Sequence, residues 1–134
     1  MRIYLSLPIT GHEETAPQMA EEVKQDLLKV FHKEVEVVTP FDVCPPDEKL
    51  DYAACMGRDI EELLRCDAVC VLLNEYAWES NGVNLEWHAA QLYEKKIYAV
   101  TYEEGKWRVY RVGFPPGGDR ALGVLINKDE DDED

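Results

Sequence analysis

The sequence predicts an α/β fold, a doubly wound and mostly parallel sheet between two layers of helices, from three observations. Segments with strand-like and helix-like patterns alternate along the chain. DAVCVLL at 67–73 is an uninterrupted apolar run, which is typical of a central parallel strand covered on both faces. Glycine-containing loops follow two of the strands and lead into helices. These features indicate a flavodoxin-like or Rossmann-like three-layer arrangement with right-handed crossovers.

The first part of the chain supplies two strands and a helix. RIYLSLP at 2–8 is rich in β-branched and aromatic residues and predicts the first strand. Thr15 then opens a helix, because the glutamine three residues later completes a capping-box pattern. The buried face of this helix follows from near-helical spacing of Met19, Val23, Leu27 and Phe31. EVEVVTP at 34–40 predicts a second strand, and the proline-containing stretch 41–50 predicts a loop.

The remaining elements continue the alternation. A helix is predicted from about Asp51 to Arg65, with its apolar positions at Tyr52, Met56, Ile60 and Leu63. After the strand at 67–73, a turn leads into a helix that extends to about Lys95 and presents Leu85, Ala89 and Leu92 to the core. KIYAVTY at 96–102 predicts the next strand. The segment 103–112 predicts a turn and an added antiparallel strand, while 119–127 is compatible with a short helix or an edge strand.

Length and charge limit the domain organisation and the partners. The 134 residues predict a single domain over 1–127, and the acidic tail 128–134 is expected to be disordered because its charges repel one another. The net charge is −14, of which the tail carries −5 and the body −9. A body this acidic lacks the basic stripe that binds long DNA or RNA. No apolar run approaches the roughly 20 residues that cross a bilayer, and no signal peptide is evident, so we expect no membrane partner and a cytoplasmic location.

The sequence offers little sign of a metal or cofactor. The three histidines are scattered, G-x-G-x-x-G is absent, and PPGGD at 115–119 lacks the Lys-Ser/Thr ending of a phosphate loop. We therefore expect no metal and no cofactor. The cysteines include no Cys-x-x-Cys pair and are interpreted as buried reduced thiols, with a metal site or a redox pair as the alternative: Cys44, Cys55, Cys66 and Cys70.

Two segments are expected at the edge of the sheet where ligands bind in doubly wound folds. They are LPITG at 7–11, after the first strand, and NEYAWESNGVNLE at 74–86, after the strand at 67–73. Glu86 is predicted near the first turn of its helix, where the macrodipole favours an ionised carboxylate. Such a group at a cleft edge can serve as nucleophile or base. The alternative is an acid placed there only for its effect on the helix.

Two further residues are candidates for the same site. Asp59 lies three residues after Met56 and four before Leu63, at the edge of the apolar stripe of its helix. The alternative for Asp59 is an ordinary aspartate on the flank of a helix. Tyr4 lies in the first strand, and its alternative is a core tyrosine with a satisfied hydroxyl.

IYLSLPITG, MGRDIEELLRCDAVCVLL and ESNGVNLEWHAAQLYEKK follow one another in this order along the chain. In these segments and their order, roughly residues 1–101 resemble the nucleoside 2-deoxyribosyltransferase superfamily, and most closely its small members of bacterial and phage type. The resemblance implies that Glu86 attacks the anomeric carbon of a 2-deoxyribose and forms a glycosyl-enzyme ester. It implies that Asp59 lies near the departing base and that Tyr4 orients the nucleophile. We expect the substrate to be bound at Pro8, Ile9, Thr10, Gly11, Ser80 and Gly82.

Ser80 departs from the transferase pattern. The transferases usually have a second aspartate there that contacts the sugar, whereas the related 2′-deoxynucleoside 5′-monophosphate N-hydrolases have a serine that contacts phosphate. LPITG, however, has no arginine where those hydrolases use one for phosphate. The resemblance therefore implies an N-glycosidic enzyme acting on 2′-deoxynucleosides or their monophosphates, by transfer or hydrolysis. The alternative is a binding module that senses a nucleoside or nucleotide without turnover.

The resemblance also implies a homo-oligomer, because the pockets of this superfamily are often completed by a neighbouring subunit. Trp78 and Trp87 flank the glycine turn and are compatible with such an interface, although either residue is equally compatible with the core. The expected partners are thus a small-molecule nucleoside or nucleotide and a second copy of the chain.

Overall fold

The structure, a computed structural model, is built around one six-stranded sheet and describes residues 1–9, 11–32, 34–45, 51–113 and 121–125. The strands are β1 (Arg2–Ser6), β2 (Glu36–Val38), β3 (Ala68–Leu72), β4 (Lys96–Glu103), β5 (Lys106–Gly113) and β6 (Ala121–Leu125). The helices are α1 (Ala16–Val30), α2 (Pro40–Val43), α3 (Tyr52–Arg65) and α4 (Asn81–Leu92), with a 3₁₀ turn at Ala77–Glu79. Strand and helix alternate through α4, as the sequence predicts.

The strand order is β2-β1-β3-β4-β5-β6. β1 pairs in parallel with β2 and β3, and β3 pairs in parallel with β4, whereas β5 and β6 are antiparallel additions. The predicted fold class and the added antiparallel strand are therefore confirmed. The segment 119–127 contains an edge strand rather than a helix. The sheet order reverses at β1 and β3, which is where ligands bind in folds of this kind.

Each face of the sheet carries its own buried cluster, because successive residues of a strand point to opposite faces. Ile3 and Leu5 of β1 pack in a cluster with Val23 and Leu27 of α1. Tyr4 points to the other face, in a cluster with Val69 and Val71 of β3 and with side chains of α3 and α4: Leu63, Val83, Trp87 and Ala90. Ser6, two residues after Tyr4, therefore lies on the α3 and α4 side of the sheet.

α1 follows its prediction except at its start. Val23 and Leu27 are buried, and Met19 and Phe31 pack partly buried against the same cluster. Thr15 precedes the helix but does not cap it with its side chain, since its hydroxyl instead donates to the carbonyl oxygen of His12 at 3.4 Å. The predicted capping box is therefore not formed.

α4 buries a different face from the one predicted. Leu85 and Leu92 are 49% and 76% exposed, so their placement in the core was wrong. The buried residues lie along one face of the helix, and one of them is a glutamate: Val83, Glu86, Trp87 and Ala90. Because α4 begins at Asn81, Glu86 is beyond its first turn, and the expected macrodipole stabilisation does not apply to it.

The stretch predicted as a loop after β2 begins instead with the short helix α2. Thr39 and Asp42 form a capping box, in which the Asp42 N–H donates to the Thr39 hydroxyl and the Thr39 N–H donates to the Asp42 carboxylate. Residues 46–50 of the same stretch lie outside the described residues.

The prediction of four reduced cysteines was wrong for two of them. Cys44 follows α2 and Cys55 lies near the start of α3, and their sulfur atoms form a disulfide. The two helices bring the Cα atoms within 5.8 Å, inside the range that a disulfide spans. Cys66 and Cys70 are buried free thiols, as predicted, and burial raises the pKa of the Cys70 thiol to about 12.

No helix in the described ranges is both long enough and apolar enough to cross a membrane. The predicted acidic tail, 128–134, and the predicted substrate-binding residue Thr10 lie outside the described residues.

Candidate active site

A pocket of about 300 Å³ opens at the carboxyl ends of β1 and β3, where the sheet order reverses. Its volume is at the lower end of the range for small-molecule sites. The lining comes from the segment after β1, from α1, α2 and α3, and from the loop and helix after β3: Leu7, Ile9, Glu13, Pro17, Pro40, Phe41, Cys44, Cys55, Met56, Asp59, Ser80, Gly82 and Glu86. Both edge segments expected from the sequence contribute to it.

Glu86 is a buried carboxyl group in the wall of this pocket. Its side chain is 3% exposed, and Oε1 accepts a hydrogen bond of 2.8 Å from the Ser6 hydroxyl. Oε2 is buried and has no hydrogen-bond partner among the residues that the structure describes. Burial raises the pKa of Glu86 to about 8, the negative charge of Asp59 adds to the rise, and the Tyr4 and Ser6 hydroxyls oppose it. Near neutral pH, Glu86 is therefore mostly protonated.

Tyr4 reaches Glu86 from the middle of β1. Its side chain is fully buried, and its hydroxyl is close enough to the Glu86 carboxyl to lower the pKa of that group. The distance and angle of a full hydrogen bond are not reached between this hydroxyl and any described residue. Burial raises the pKa of Tyr4 well above its ordinary value, and the nearby charges of Glu86 and Asp59 raise it further. Tyr4 thus stays neutral and keeps a hydroxyl proton that it can donate to Glu86.

Asp59 is the second carboxyl group of the pocket. It lies on the inner side of α3, is 7% exposed, and its Oδ1 is buried without a hydrogen-bond partner in the described part of the chain. Burial raises the pKa of Asp59 to about 6. Because this value lies below that of Glu86, the two groups together hold about one proton near pH 7, mostly on Glu86. Pairs of carboxyl groups whose pKa values are pushed apart are typical of acid–base sites.

Ser80 both lines the pocket and caps α4. Its hydroxyl accepts a hydrogen bond of 3.2 Å from the N–H of Val83. The hydroxyl proton remains available to a ligand. Serine and aspartate are both favoured at the start of a helix, so capping accommodates either residue at this position. Gly82, in the first turn of α4, also lines the pocket.

The loop between β1 and α1 contributes less than expected. Ile9 lines the pocket, whereas Pro8 and Gly11 are not among the lining residues. Gly11 has a φ of +85°, a conformation that favours glycine, and its N–H donates to the Glu13 carboxylate at 3.0 Å. This hydrogen bond lowers the pKa of Glu13 and keeps it charged where it lines the pocket.

The sequence alone missed several residues of the site. Ser6 is the most consequential, and the alternation of β1 would have placed it on the same side as Tyr4. The contribution of α2 and of the Cys44–Cys55 disulfide to the wall had no recognisable pattern, because the proline-containing sequence after β2 predicts a loop.

Residues 1–99 match the model of a family described as a domain of unknown function, DUF4406. The chain belongs to this family. No curated protein matches the sequence.

Among the solved structures that are similar in fold to this DUF4406 protein are two from different organisms. One is a 2-deoxyribosyltransferase from Bacillus psychrosaccharolyticus, with 17% sequence identity, a TM-score of 0.59, and coverage of 78% of this chain and 74% of that one. The other is a 2-deoxyribosyltransferase from Leishmania mexicana, with 19% identity, a TM-score of 0.58, and coverage of 76% of this chain and 65% of that one. The resemblance stated from the sequence is thereby confirmed for the fold.

The charge of the lining residues indicates which ligands the pocket of this DUF4406 protein can bind. Among the described lining residues are three carboxyl groups, Glu13, Asp59 and Glu86, and neither lysine nor arginine. In the same part of the chain, no group of three or more His, Cys, Asp or Glu side chains is arranged to hold a metal ion. The remaining lining is mostly apolar. Such a pocket suits an uncharged ligand that has an apolar ring and polar edges.

Proposed function

We propose that this DUF4406 protein cleaves the N-glycosidic bond of 2′-deoxynucleosides through Glu86 as the nucleophile. The observation that carries this proposal is the pair of buried carboxyl groups, Glu86 and Asp59, which line one pocket at the reversal of the sheet and differ in pKa. The similarity of the fold to two 2-deoxyribosyltransferases supports the choice of reaction.

The proposed first step forms a glycosyl-enzyme ester. Oε2 of ionised Glu86 attacks C1′ of the deoxyribose as the bond from C1′ to the base nitrogen breaks, and the bonding electrons leave with the base. In the form that reacts, the proton that the two carboxyl groups share near pH 7 resides on Asp59, which delivers it to the departing base. A deoxyribose lacks the 2′-hydroxyl that would oppose positive charge at C1′, so an oxocarbenium-like transition state is accessible.

The second step opens the ester and restores both carboxyl groups. A second base attacks C1′ in deoxyribosyl transfer, or a water molecule attacks it in hydrolysis, and Glu86 leaves as a carboxylate. The proton lost by the incoming group passes to Asp59. Both outcomes use the same residues, so the incoming group determines whether the reaction is transfer or hydrolysis.

The charge of the pocket favours nucleosides over their monophosphates. A 5′-phosphate would bring negative charge into a site whose described lining already carries about two negative charges near pH 7, one on Glu13 and one on the pair of Asp59 and Glu86, without a balancing cation. Because like charges repel strongly where water is largely excluded, we expect the monophosphate to bind more weakly. Ser80 is then assigned to the sugar.

The test is incubation of the protein with deoxyinosine, with and without adenine, followed by chromatographic separation of bases and nucleosides. Release of hypoxanthine indicates hydrolysis, and formation of deoxyadenosine indicates transfer. Glu86→Gln should abolish both products, whereas Glu14→Gln, which alters an exposed glutamate outside the pocket, should not. The proposal fails if the wild-type protein yields neither product or if Glu86→Gln keeps full activity. Deoxyinosine monophosphate serves as the matched charged substrate.

A second candidate function is recognition of a nucleoside without turnover. The observation that favours it is the raised pKa of Glu86, since a protonated carboxyl group donates a hydrogen bond rather than attacking a carbon. Thermal stabilisation by deoxynucleosides without any released base would support this candidate. Absence of any effect of nucleosides on the melting temperature would count against both candidates.

A further inference from the structure

Ser6 is a fully buried polar residue at the end of a central strand. β1 lies between β2 and β3, and Ser6 is in register with Val71 of β3. Its hydroxyl donates to Oε1 of Glu86 at 2.8 Å, in a buried hydrogen bond that joins β1 to α4 across 80 residues of sequence. A buried hydroxyl is costly unless it is hydrogen-bonded, so this contact accounts for the placement of Ser6.

We propose that Ser6 is a positioning residue, whose hydroxyl holds Oε1 of Glu86 and leaves Oε2 as the oxygen that attacks C1′. The inference rests on the proposed function, because it takes Glu86 as the nucleophile.

The carboxyl group of Glu86 has two oxygens, either of which could attack. They are chemically equivalent in the ionised form, and a glutamate side chain rotates about three bonds, so burial alone does not select one oxygen. The Ser6 hydroxyl has one proton and binds one of them. Since Ser6 belongs to a strand paired on both sides, the donor is held by the sheet rather than by a loop. A reacting atom must lie within about 3 to 3.5 Å of its target, which makes this constraint relevant to rate.

The same hydrogen bond favours the ionised form of Glu86, because a donor to a carboxylate stabilises its charge. Tyr4 of β1 acts in the same direction, whereas burial and Asp59 of α3 favour the neutral form. Glu13, from the loop before α1, is a further negative charge lining the pocket. Loss of the Ser6 donor should therefore shift the balance toward protonated Glu86 and reduce the fraction that can attack.

The first measurement requires no substrate. In protein labelled with ¹³C at glutamate side-chain carboxyl groups, the signal that disappears in Glu86→Gln identifies Glu86, and its pH titration gives the pKa. We expect Ser6→Ala to raise that pKa by about one unit, and Ser6→Thr, which keeps the hydroxyl, to restore it. Cys70→Ala is the matched control, since Cys70 is equally buried in the cluster on the other face of the sheet. An unchanged titration in Ser6→Ala would overturn the inference.

The second measurement uses turnover. A rise of about one pKa unit lowers the ionised fraction of Glu86 near pH 7 by about tenfold. Ser6→Ala should lower kcat by at least that factor and leave KM within about twofold. Because the reactive form needs ionised Glu86 and protonated Asp59, the falling limb of the pH–rate profile follows the higher pKa, that of Glu86, and should move to higher pH. A rise in KM with kcat unchanged and no movement of the pH–rate profile would overturn the positioning role. Absence of wild-type turnover would instead refute the proposed function, and the titration would still decide whether Ser6 holds Glu86.

Discussion

Replacing Glu86 by glutamine should stabilise the folded protein by an amount that grows with pH. The substitution keeps the size and shape of the side chain and removes its ability to ionise. In the native protein, burial raises the pKa of Glu86 from 4.5 to about 8. A group that binds its proton more tightly in the folded state destabilises that state as pH rises between the unfolded and folded pKa values.

The magnitude follows from these two values. One pKa unit corresponds to about 1.4 kcal/mol, so the complete penalty, reached above pH 8, is about 5 kcal/mol. The penalty is nearly absent below pH 4.5, about 1 kcal/mol at pH 5.5 and about 3 kcal/mol at pH 7. Glutamine does not incur this penalty, and the Ser6 hydroxyl can donate to its amide oxygen in place of Oε1.

The assay is urea unfolding at pH 5.5, 7 and 9, followed by tryptophan fluorescence. The free energy of unfolding of Glu86→Gln minus that of the wild type should increase by about 3 kcal/mol across this range. Glu14→Gln, at an exposed position, is the matched control and should show a difference near zero throughout. A difference for Glu86→Gln that stays constant or falls as pH rises would refute the assignment of a buried, mostly neutral carboxyl group.

Stability should also depend on the disulfide, on Trp87 and on the exposed face of α4. Reducing the Cys44–Cys55 bridge, which has a sequence separation of 11, should cost about 3 kcal/mol of unfolding free energy, because reduction frees the unfolded chain from this constraint. A double serine variant should not respond to reductant, and an equal stability of both redox forms would contradict this expectation. Trp87→Ala, at a 1% exposed position, should cost about 3–5 kcal/mol in the same assay, and a loss below about 1 kcal/mol would contradict its burial. Leu92→Ser should change stability by less than about 0.5 kcal/mol if that face contacts water. A larger loss together with a smaller size in gel filtration would show that a second copy covers the face.

The fold was predictable because its strongest signals are local. The apolar run at 67–73 contains β3, and its predicted bounds differ from the observed ones by a single residue at each end. Helix α3 likewise begins after Asp51, whose side chain caps it. Such signals depend on residues adjacent in sequence, and the parallel order then follows from the alternation of strands and helices.

The errors arose where distant parts of the chain meet. The buried stripe of α4 contains Glu86, and hydrophobic periodicity therefore selected the more apolar line of Leu85 and Leu92. The disulfide depends on the approach of α2 to α3, which spacing along the sequence does not encode. The structure brings Tyr4 and Asp59 to Glu86, as the resemblance implied, while their catalytic roles stay predictions.

The antiparallel extension of the sheet bears on which fragment of this protein can fold. The family match ends at residue 99, inside β4. Val109 and Val112 of β5 lie beyond that boundary, yet each is buried, one in the cluster on either face of the sheet. A chain cut at the family boundary would lose both side chains and leave β4 truncated, with unpaired amides along its edge, a surface prone to intermolecular strand pairing. The smallest autonomous folding unit is therefore larger than the segment by which the family is recognised.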